Sequence, residues 1–157
     1  MVPVRSWPAR MTESPGELVV MDASVLVDLL AGTDYAAPAK KRLVGTVMHA
    51  PAHMDAEVLS ALGRLQRAGE LTTADVDAAL SALSTIPVTR HPVAELAAGA
   101  WARRADIRLT DALYIELADR LRVHVLTTDH RLARASSLAE SIDISGLASD
   151  GHPPGES

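Results

Sequence analysis

The segment LVVMDASVLVDLL, residues 18–30, carries the first clear sign of the fold. Its first four residues are all apolar, as is typical of a strand that is buried in a parallel sheet. Asp22 ends that run, and Ser24 to Leu30 then has the pattern of a short helix that Gly32 stops. The segment therefore predicts a buried strand that passes directly into a helix.

The same arrangement recurs near the other end of the chain, where VHVL at residues 123–126 is followed by Thr127, Thr128 and Asp129. Further strand candidates are residues 46–50 and 86–88, and Ile142 and Ile144 are candidates for a last edge strand. Helical patterns lie between them, at about 53–68, after Thr72 or Thr73, from Pro92 to about Arg104, and from Thr110 or Asp111 to Leu121. Alternating strands and helices predict an α/β fold with a central, mostly parallel sheet flanked by helices.

Composition limits the class of protein. The chain has 157 residues, a formal net charge of −5 and 48% hydrophobic residues, which suits one folded domain and excludes disorder of the whole chain. No apolar run reaches the roughly 18 residues of a membrane span, so no membrane segment is expected. The lack of cysteine excludes thiolate chemistry and fits a reducing cytoplasm. Residues 17–148 are predicted to form the domain, between a disordered leader at 1–16 and a disordered tail at 149–157.

Acidic residues lie at the boundaries of four predicted elements: Asp22, Glu57, Asp111 and Asp129. Ligands of parallel sheets bind beyond the carboxyl ends of the strands, where Asp22 and Asp129 are expected. Each acid has an ordinary alternative, since the aspartates could be helix N-caps and Glu57 an exposed helix residue. Gathered together, the four would repel one another unless a cation neutralised them. Oxygen ligands favour Mg²⁺ or Mn²⁺, and such a site can hydrolyse phosphodiesters.

Four segments around these acids resemble, in order, the motifs of PIN-domain ribonucleases, in particular the VapC-type toxins of toxin–antitoxin pairs. They are residues 19–30, 56–62, 110–118 and 125–132. The resemblance implies a three-layer PIN fold and a Mg²⁺- or Mn²⁺-dependent endoribonuclease whose metal-binding and catalytic residues are the four acids. It also implies that Ser24 and Thr128 support the site, although both could instead cap helices. An RNA substrate, an antitoxin partner and a homodimer follow from the same resemblance.

Arginines close to the acids in sequence are the candidates for contacts with RNA phosphates. A net-acidic chain does not attract nucleic acid through its overall field, so a local basic patch is needed. The alternative is that they form solvated helix faces with local ion pairs. The candidates are Arg64, Arg67, Arg103, Arg104, Arg108, Arg131 and Arg134. Trp101 lies on the stripe of Leu96, Ala97 and Ala100, which predicts a core position rather than one that stacks on RNA bases.

Two other functions are compatible with acids at strand ends. Aspartyl phosphotransfer enzymes of one class need a second aspartate two residues after the nucleophile, where this chain has Ser24, and receiver domains need a late lysine, whereas none follows Lys41. A binding module with the same fold but no catalysis is the second alternative. Stabilisation by Mg²⁺ that EDTA removes would distinguish a nuclease from such a module.

Overall fold

The computed structural model describes residues 15–144, so residues 1–14 of the predicted leader and the whole predicted tail lie outside the described residues. Five strands and seven helices are found in the described part of the chain. In chain order they are β1 (Glu17–Met21), α1 (Ala23–Ala31), α2 (Ala36–Leu43), β2 (Thr46–Pro51), α3 (Met54–Arg67), α4 (Thr73–Thr85), β3 (Val88–His91), α5 (Val93–Ala102), α6 (Leu109–Leu121), β4 (Val125–Thr127), α7 (His130–Ala135) and β5 (Ala139–Ser141).

The strands form one sheet in the order β3-β2-β1-β4-β5, and every neighbouring pair is parallel. This confirms the predicted α/β class. The chain moves outward from β1 to β3 and then returns past β1 to β4 and β5. Because crossovers between parallel strands are right-handed, helices α1–α4 cover one face and α5 and α6 the other. The change of direction leaves a crevice beyond the carboxyl ends of β1 and β4.

Three local predictions differ from the structure. The third strand begins at Val88 rather than Ile86, because Pro87 has no N–H to donate to a sheet. The last strand is Ala139–Ser141, so the strand predicted at Ile142 and Ile144 was wrong, although the Ile142 N–H still donates to the Thr127 carbonyl (2.8 Å).

The prediction of a core position for Trp101 was also wrong, because its side chain is 58% exposed. Leu96 and Ala100 form the buried stripe of α5. Trp101 follows Ala100 directly, and one residue turns a helix by about 100°, so the indole leaves that stripe.

Helix α6 runs through the core, with seven successive buried residues from Ala112 to Ala118. Glu116 belongs to this buried run and is only 7% exposed. Two guanidinium groups neutralise its carboxylate: Arg120 Nε lies 2.6 Å from Oε1 and Arg103 Nη1 lies 3.3 Å from Oε2. No helix in the described part of the chain is long and apolar enough to cross a membrane.

Two glycine-to-alanine substitutions are expected to have opposite effects on stability. A Cβ on Gly99 of α5 would overlap the Glu116 carboxylate, which the two arginines hold in place, so Gly99→Ala should destabilise the protein by about 1–3 kcal/mol. A Cβ on Gly63 of α3 would touch only the end of the flexible Arg67 side chain. Gly63→Ala should therefore add up to about 1 kcal/mol through helix propensity. Urea denaturation measures both, and equal effects would contradict the packing described for α5 and α6.

A histidine pair links β2 and β3, and it predicts how stability depends on pH. His49 Nδ1 lies 2.9 Å from His91 Nε2, so one ring donates a hydrogen bond to the other. Burial, reinforced by the charge of His91, lowers the pKa of His49. The unfolded chain therefore binds this proton more readily, and the contribution to stability is lost as the pH falls below about 6.5.

In urea denaturation at pH 7.5 and pH 5.5, wild type should lose more stability on acidification than His49→Gln, which cannot be protonated. Equal losses in the two proteins would contradict this account of the pair.

Candidate active site

A cavity of about 640 Å³ opens in the crevice beyond β1 and β4, and all four predicted acids line it. Asp22 follows β1 and Asp129 follows β4, while Glu57 and Asp111 lie in the first turns of α3 and α6. The other polar residues that line the cavity are Ser24, Asp28, His53, Ser60, Arg64, Arg108 and Thr110. Side chains that are up to 107 positions apart in sequence thus meet in one place.

Asp22 lies at the base of this site and is only 6% exposed. It occupies the N-cap position of α1, but its side chain makes no capping bond. Its Oδ2 instead accepts hydrogen bonds from Ser24 Oγ (2.5 Å) and Thr127 Oγ1 (2.8 Å). Burial raises the pKa of Asp22, and the charges of Glu57 and Asp111 raise it further, against the effect of the two hydroxyl groups. A nearby positive charge would therefore favour the ionised carboxylate.

Glu57 projects from the first turn of α3 and is held by two donors. His53 Nε2 lies 2.7 Å from Glu57 Oε1, and the Tyr114 hydroxyl donates to the same oxygen over 2.9 Å. Burial disfavours the charged form of Glu57, but the hydrogen bonds from His53 and Tyr114, together with nearby positive charge that includes Arg108, lower its pKa overall. Glu57 is therefore an ionised carboxylate in a fixed orientation.

Asp111 and Asp129 are each paired with arginine. Arg108 Nε is 3.2 Å from Asp111 Oδ2, and Arg131 Nη2 lies 3.1 Å from Asp129 Oδ2 and 4.0 Å from Asp111 Oδ2. Asp129 also accepts the backbone N–H of Arg131, so the helix-cap alternative holds for this residue alongside its place in the cavity. Burial works against ionisation of Asp129, yet the hydrogen bonds from Arg131 lower its pKa overall.

The hydroxyl groups around the acids are arranged differently from the sequence-based assignment. Ser24 donates to Asp22, and its Oγ also accepts the Thr128 N–H (3.1 Å). The Thr128 hydroxyl, however, donates to Asp28 (2.6 Å) rather than to one of the four acids. Thr127, the last residue of β4, links the ends of β1 and β4, because its Oγ1 donates to Asp22 and accepts the Asp129 N–H (2.9 Å).

Sequence reasoning therefore missed Thr127 and Asp28, and each had a signal. Thr127 is a polar residue at the very end of a buried strand, where it is fully buried. Asp28 lies four positions after Ser24, which places both on one face of α1.

The predicted RNA-contact arginines divide into two groups. Arg64 and Arg108 line the cavity, and Arg131 contacts two of its acids. Arg104 does not line it, because its guanidinium lies over the exposed Trp101 ring, 4.7 Å from the centroid. Arg103 is engaged by Glu116 and Asp119.

The donor chemistry of the cavity fits a hard divalent cation. Five carboxylates line it: Asp22, Asp28, Glu57, Asp111 and Asp129. Among residues 15–144, no three carboxylate or histidine side chains are gathered closely enough to form a complete metal site. The charges of Glu57 and Asp111 raise the pKa of Asp22, which shows that the carboxylates repel one another and keep apart. A bound divalent cation would attract all of them and so draw them together.

Comparison with known proteins agrees with this geometry. The family model described as PIN domain matches residues 19–138, so the chain belongs to the PIN-domain family. It is 62% identical over 130 residues to Ribonuclease VapC3 of Mycobacterium tuberculosis, a match that covers 82% of this chain and 95% of that protein. It is 38% identical over 127 residues to Ribonuclease VapC1 of the same organism, covering 80% and 96%. The resemblance read from the sequence motifs is confirmed.

Solved structures share the fold. One is PAE2754 from Pyrobaculum aerophilum, with a TM-score of 0.59 and 22% identity over 85% of this chain and 98% of that one. Another is Mycobacterium tuberculosis VapC20, described as a sarcin-ricin loop cleaving toxin, with a TM-score of 0.53 and 22% identity over 83% and 95%. At these identities the likeness concerns the fold alone.

Proposed function

We propose that this protein is a metal-dependent endoribonuclease and the toxin of a VapC-type toxin–antitoxin pair. The observation that carries the proposal is the meeting of four acids from distant parts of the chain in one cavity at the switch point of a PIN-domain sheet. The identity to Ribonuclease VapC3, which extends over nearly the whole of that relative, supports the choice of RNA as substrate.

The carboxylates of Asp22, Asp111 and Asp129, together with Glu57, would hold Mg²⁺ or Mn²⁺. When bound, such an ion stabilises charge on the phosphoryl oxygens and lowers the pKa of water. Glu57, whose orientation is fixed by His53 and Tyr114, would orient the attacking water and accept its proton. The new bond would join the water oxygen to phosphorus while the bond from phosphorus to the 3′ oxygen breaks, and the leaving 3′ oxygen would take up a proton from solvent as Glu57 returns its own proton to solvent. The products are a 5′-phosphate and a 3′-hydroxyl.

Removal of the metal tests the proposal. Purified protein incubated with total RNA should cleave it in the presence of Mg²⁺ or Mn²⁺, stop when EDTA is added in excess, and resume when the ion is restored. Mapping of the cut ends should find 5′-phosphates, and Mn²⁺ should raise the melting temperature. Intact RNA would contradict the proposal, and intact RNA together with a melting temperature that Mn²⁺ does not change would favour a binding module.

The proposed toxin function also implies where the protein acts and which partners it binds. We also propose that the protein acts in the cytoplasm, where its RNA substrate would lie. The cognate antitoxin would be a protein that blocks the acidic cavity, and the active toxin would be a homodimer. Co-expression with the small upstream reading frame expected for an antitoxin should suppress cleavage, and size-exclusion chromatography with light scattering measures the oligomeric state.

A further inference from the structure

Two donors, one on the buried Tyr114 and one on the partly buried His53, converge on one oxygen of Glu57. The Tyr114 hydroxyl and His53 Nε2 both contact Oε1, at 2.9 Å and 2.7 Å. No donor in the described part of the chain reaches Oε2, which leaves that oxygen available to the cavity that Glu57 lines. The carboxylate is thus held through one oxygen and presents the other.

His53 also ties the helix of Glu57 to the helix of Asp111. It occupies the N-cap position of α3, and its Nε2 lies 3.1 Å from the carbonyl oxygen of Thr110 in α6, the residue before Asp111. Both neighbours of Nε2 are acceptors, so Nε2 must carry the hydrogen. Its Nδ1 is buried without a hydrogen-bond partner in the described structure, so Nε2 is the ring nitrogen through which His53 contacts its neighbours.

Tyr114 is fully buried on α6, three positions after Asp111, and does not line the cavity. A tyrosine that served only to fill the core could be a phenylalanine, since a buried hydroxyl is costly unless it finds a partner. The partner here is Glu57, 57 residues away, and the imidazole of His53 packs against the phenol ring with centroids 4.9 Å apart. Its hydroxyl therefore lies behind Glu57, on the side away from any substrate.

We infer that Tyr114 and His53 are positioning residues that act through Glu57. They hold the Glu57 carboxylate in the orientation that receives the divalent cation, and they fix the distance between Glu57 and Asp111. This inference rests on the proposed function, because it concerns the same acidic cavity. Removing a residue that orients a metal ligand commonly lowers the affinity for the metal 10- to 100-fold. The expected effect is therefore on the affinity for the cation, with the acids themselves unchanged.

The experiment measures the apparent affinity for Mn²⁺ from the rise in melting temperature with Mn²⁺ concentration, in the full-length protein. Tyr114→Phe removes one oxygen atom and should weaken Mn²⁺ binding about tenfold. His53→Leu should weaken Mn²⁺ binding by a similar factor. His53→Gln keeps an N–H donor, so its Mn²⁺ affinity should lie between those of His53→Leu and wild type. Tyr35→Phe is the matched control, because it also removes a tyrosine hydroxyl bonded to a histidine, His130, but away from the cavity. It should stay within about twofold of wild type.

Cleavage kinetics separate positioning from direct participation. At saturating Mn²⁺, Tyr114→Phe should recover most of the wild-type rate, whereas Glu57→Gln, which lacks the carboxylate itself, should not. If folded Tyr114→Phe and His53→Leu both bind Mn²⁺ within twofold of wild type, the inference is wrong while the proposed function stands. If wild type neither binds Mn²⁺ nor cleaves RNA, the proposed function fails and the inference with it. Should Tyr114→Phe not fold, as judged by circular dichroism, the comparison of His53→Gln with His53→Leu decides.

Discussion

Asp22→Asn is expected to abolish RNA cleavage and, in the absence of divalent metal, to make the protein more stable. Asparagine has the shape of aspartate, and its carbonyl oxygen can accept the hydrogen bonds that Ser24 and Thr127 now donate to Oδ2. The substitution removes a buried charge whose pKa is raised by burial and by the charges of Glu57 and Asp111. We expect a gain of about 1 kcal/mol in the free energy of unfolding, as is common when a strained functional group is relaxed.

The loss of activity should be at least about a thousandfold, because an amide cannot replace a carboxylate as a ligand for a hard cation. Stability and metal dependence are measured together by urea denaturation with EDTA and with increasing Mn²⁺. Mn²⁺ should stabilise wild type progressively and Asp22→Asn much less, so the order of stability reverses as the metal concentration rises.

Asp77→Asn is the control for this variant, since it removes one negative charge from an exposed position on α4 and should change neither property. Full cleavage by Asp22→Asn would contradict the assignment of Asp22 to the site. A less stable variant in EDTA would contradict the description of Asp22 as a repelled, buried charge.

The part of the site that follows from strand order was predictable from the sequence. Asp22 and Asp129 each come directly after an apolar run, and strands of a parallel sheet end at a common edge. The structure adds the information that β1 and β4 are neighbours and that the sheet changes direction between them. Glu57 and Asp111 could be placed only by their resemblance to family motifs, because a helix pattern does not indicate which edge of the sheet its first turn approaches.

The contacts that link distant segments could not be predicted. Tyr114 packs in the core, and nothing in the sequence around it indicates that its hydroxyl reaches a carboxylate 57 positions away. Thr127 and Thr128 are adjacent threonines, and only the path of the backbone at the end of β4 decides which hydroxyl reaches Asp22 and which reaches Asp28. Trp101 shows the same limit, since a difference of one position on α5 separates the buried stripe from solvent.

Arg131→Ala should weaken RNA binding and strengthen Mn²⁺ binding, two effects of opposite sign from one substitution. The Arg131 guanidinium contacts oxygens of Asp129 and Asp111, which are the oxygens that the proposed cation would use. Its side chain is 55% exposed, so it is free to turn toward an RNA phosphate when a cation takes its place. Without Arg131, the carboxylates lose a competing positive charge, and we expect Mn²⁺ affinity to rise about threefold to tenfold by the Coulomb term at short range.

RNA affinity should fall about tenfold for Arg131→Ala, and further when it is combined with Arg108→Ala, which removes the second arginine paired with Asp111. Each lost phosphate contact should reduce the slope of log affinity against log salt by about 0.7 for single-stranded RNA. Binding is measured in an Asp22→Asn background so that the RNA stays intact. Mn²⁺ affinity is measured in proteins that retain Asp22, at pH 7.5. At that pH Asp129 is ionised with or without Arg131, because the ordinary pKa of an aspartate is near 3.9 and Arg131 only lowers it.

Arg122→Ala is the matched control for the arginine variants. It removes the same charge from the opposite end of α6, about 16 Å from Asp111 along the helix. If Arg122→Ala and Arg131→Ala lower RNA affinity equally, the effect reflects net charge rather than a contact at the site. If Arg131→Ala weakens Mn²⁺ binding as well as RNA binding, its guanidinium supports the carboxylates instead of competing for them. A rise in Mn²⁺ affinity together with a fall in RNA affinity is the result expected if the Arg131 guanidinium moves from the carboxylates to an RNA phosphate when the metal ion binds.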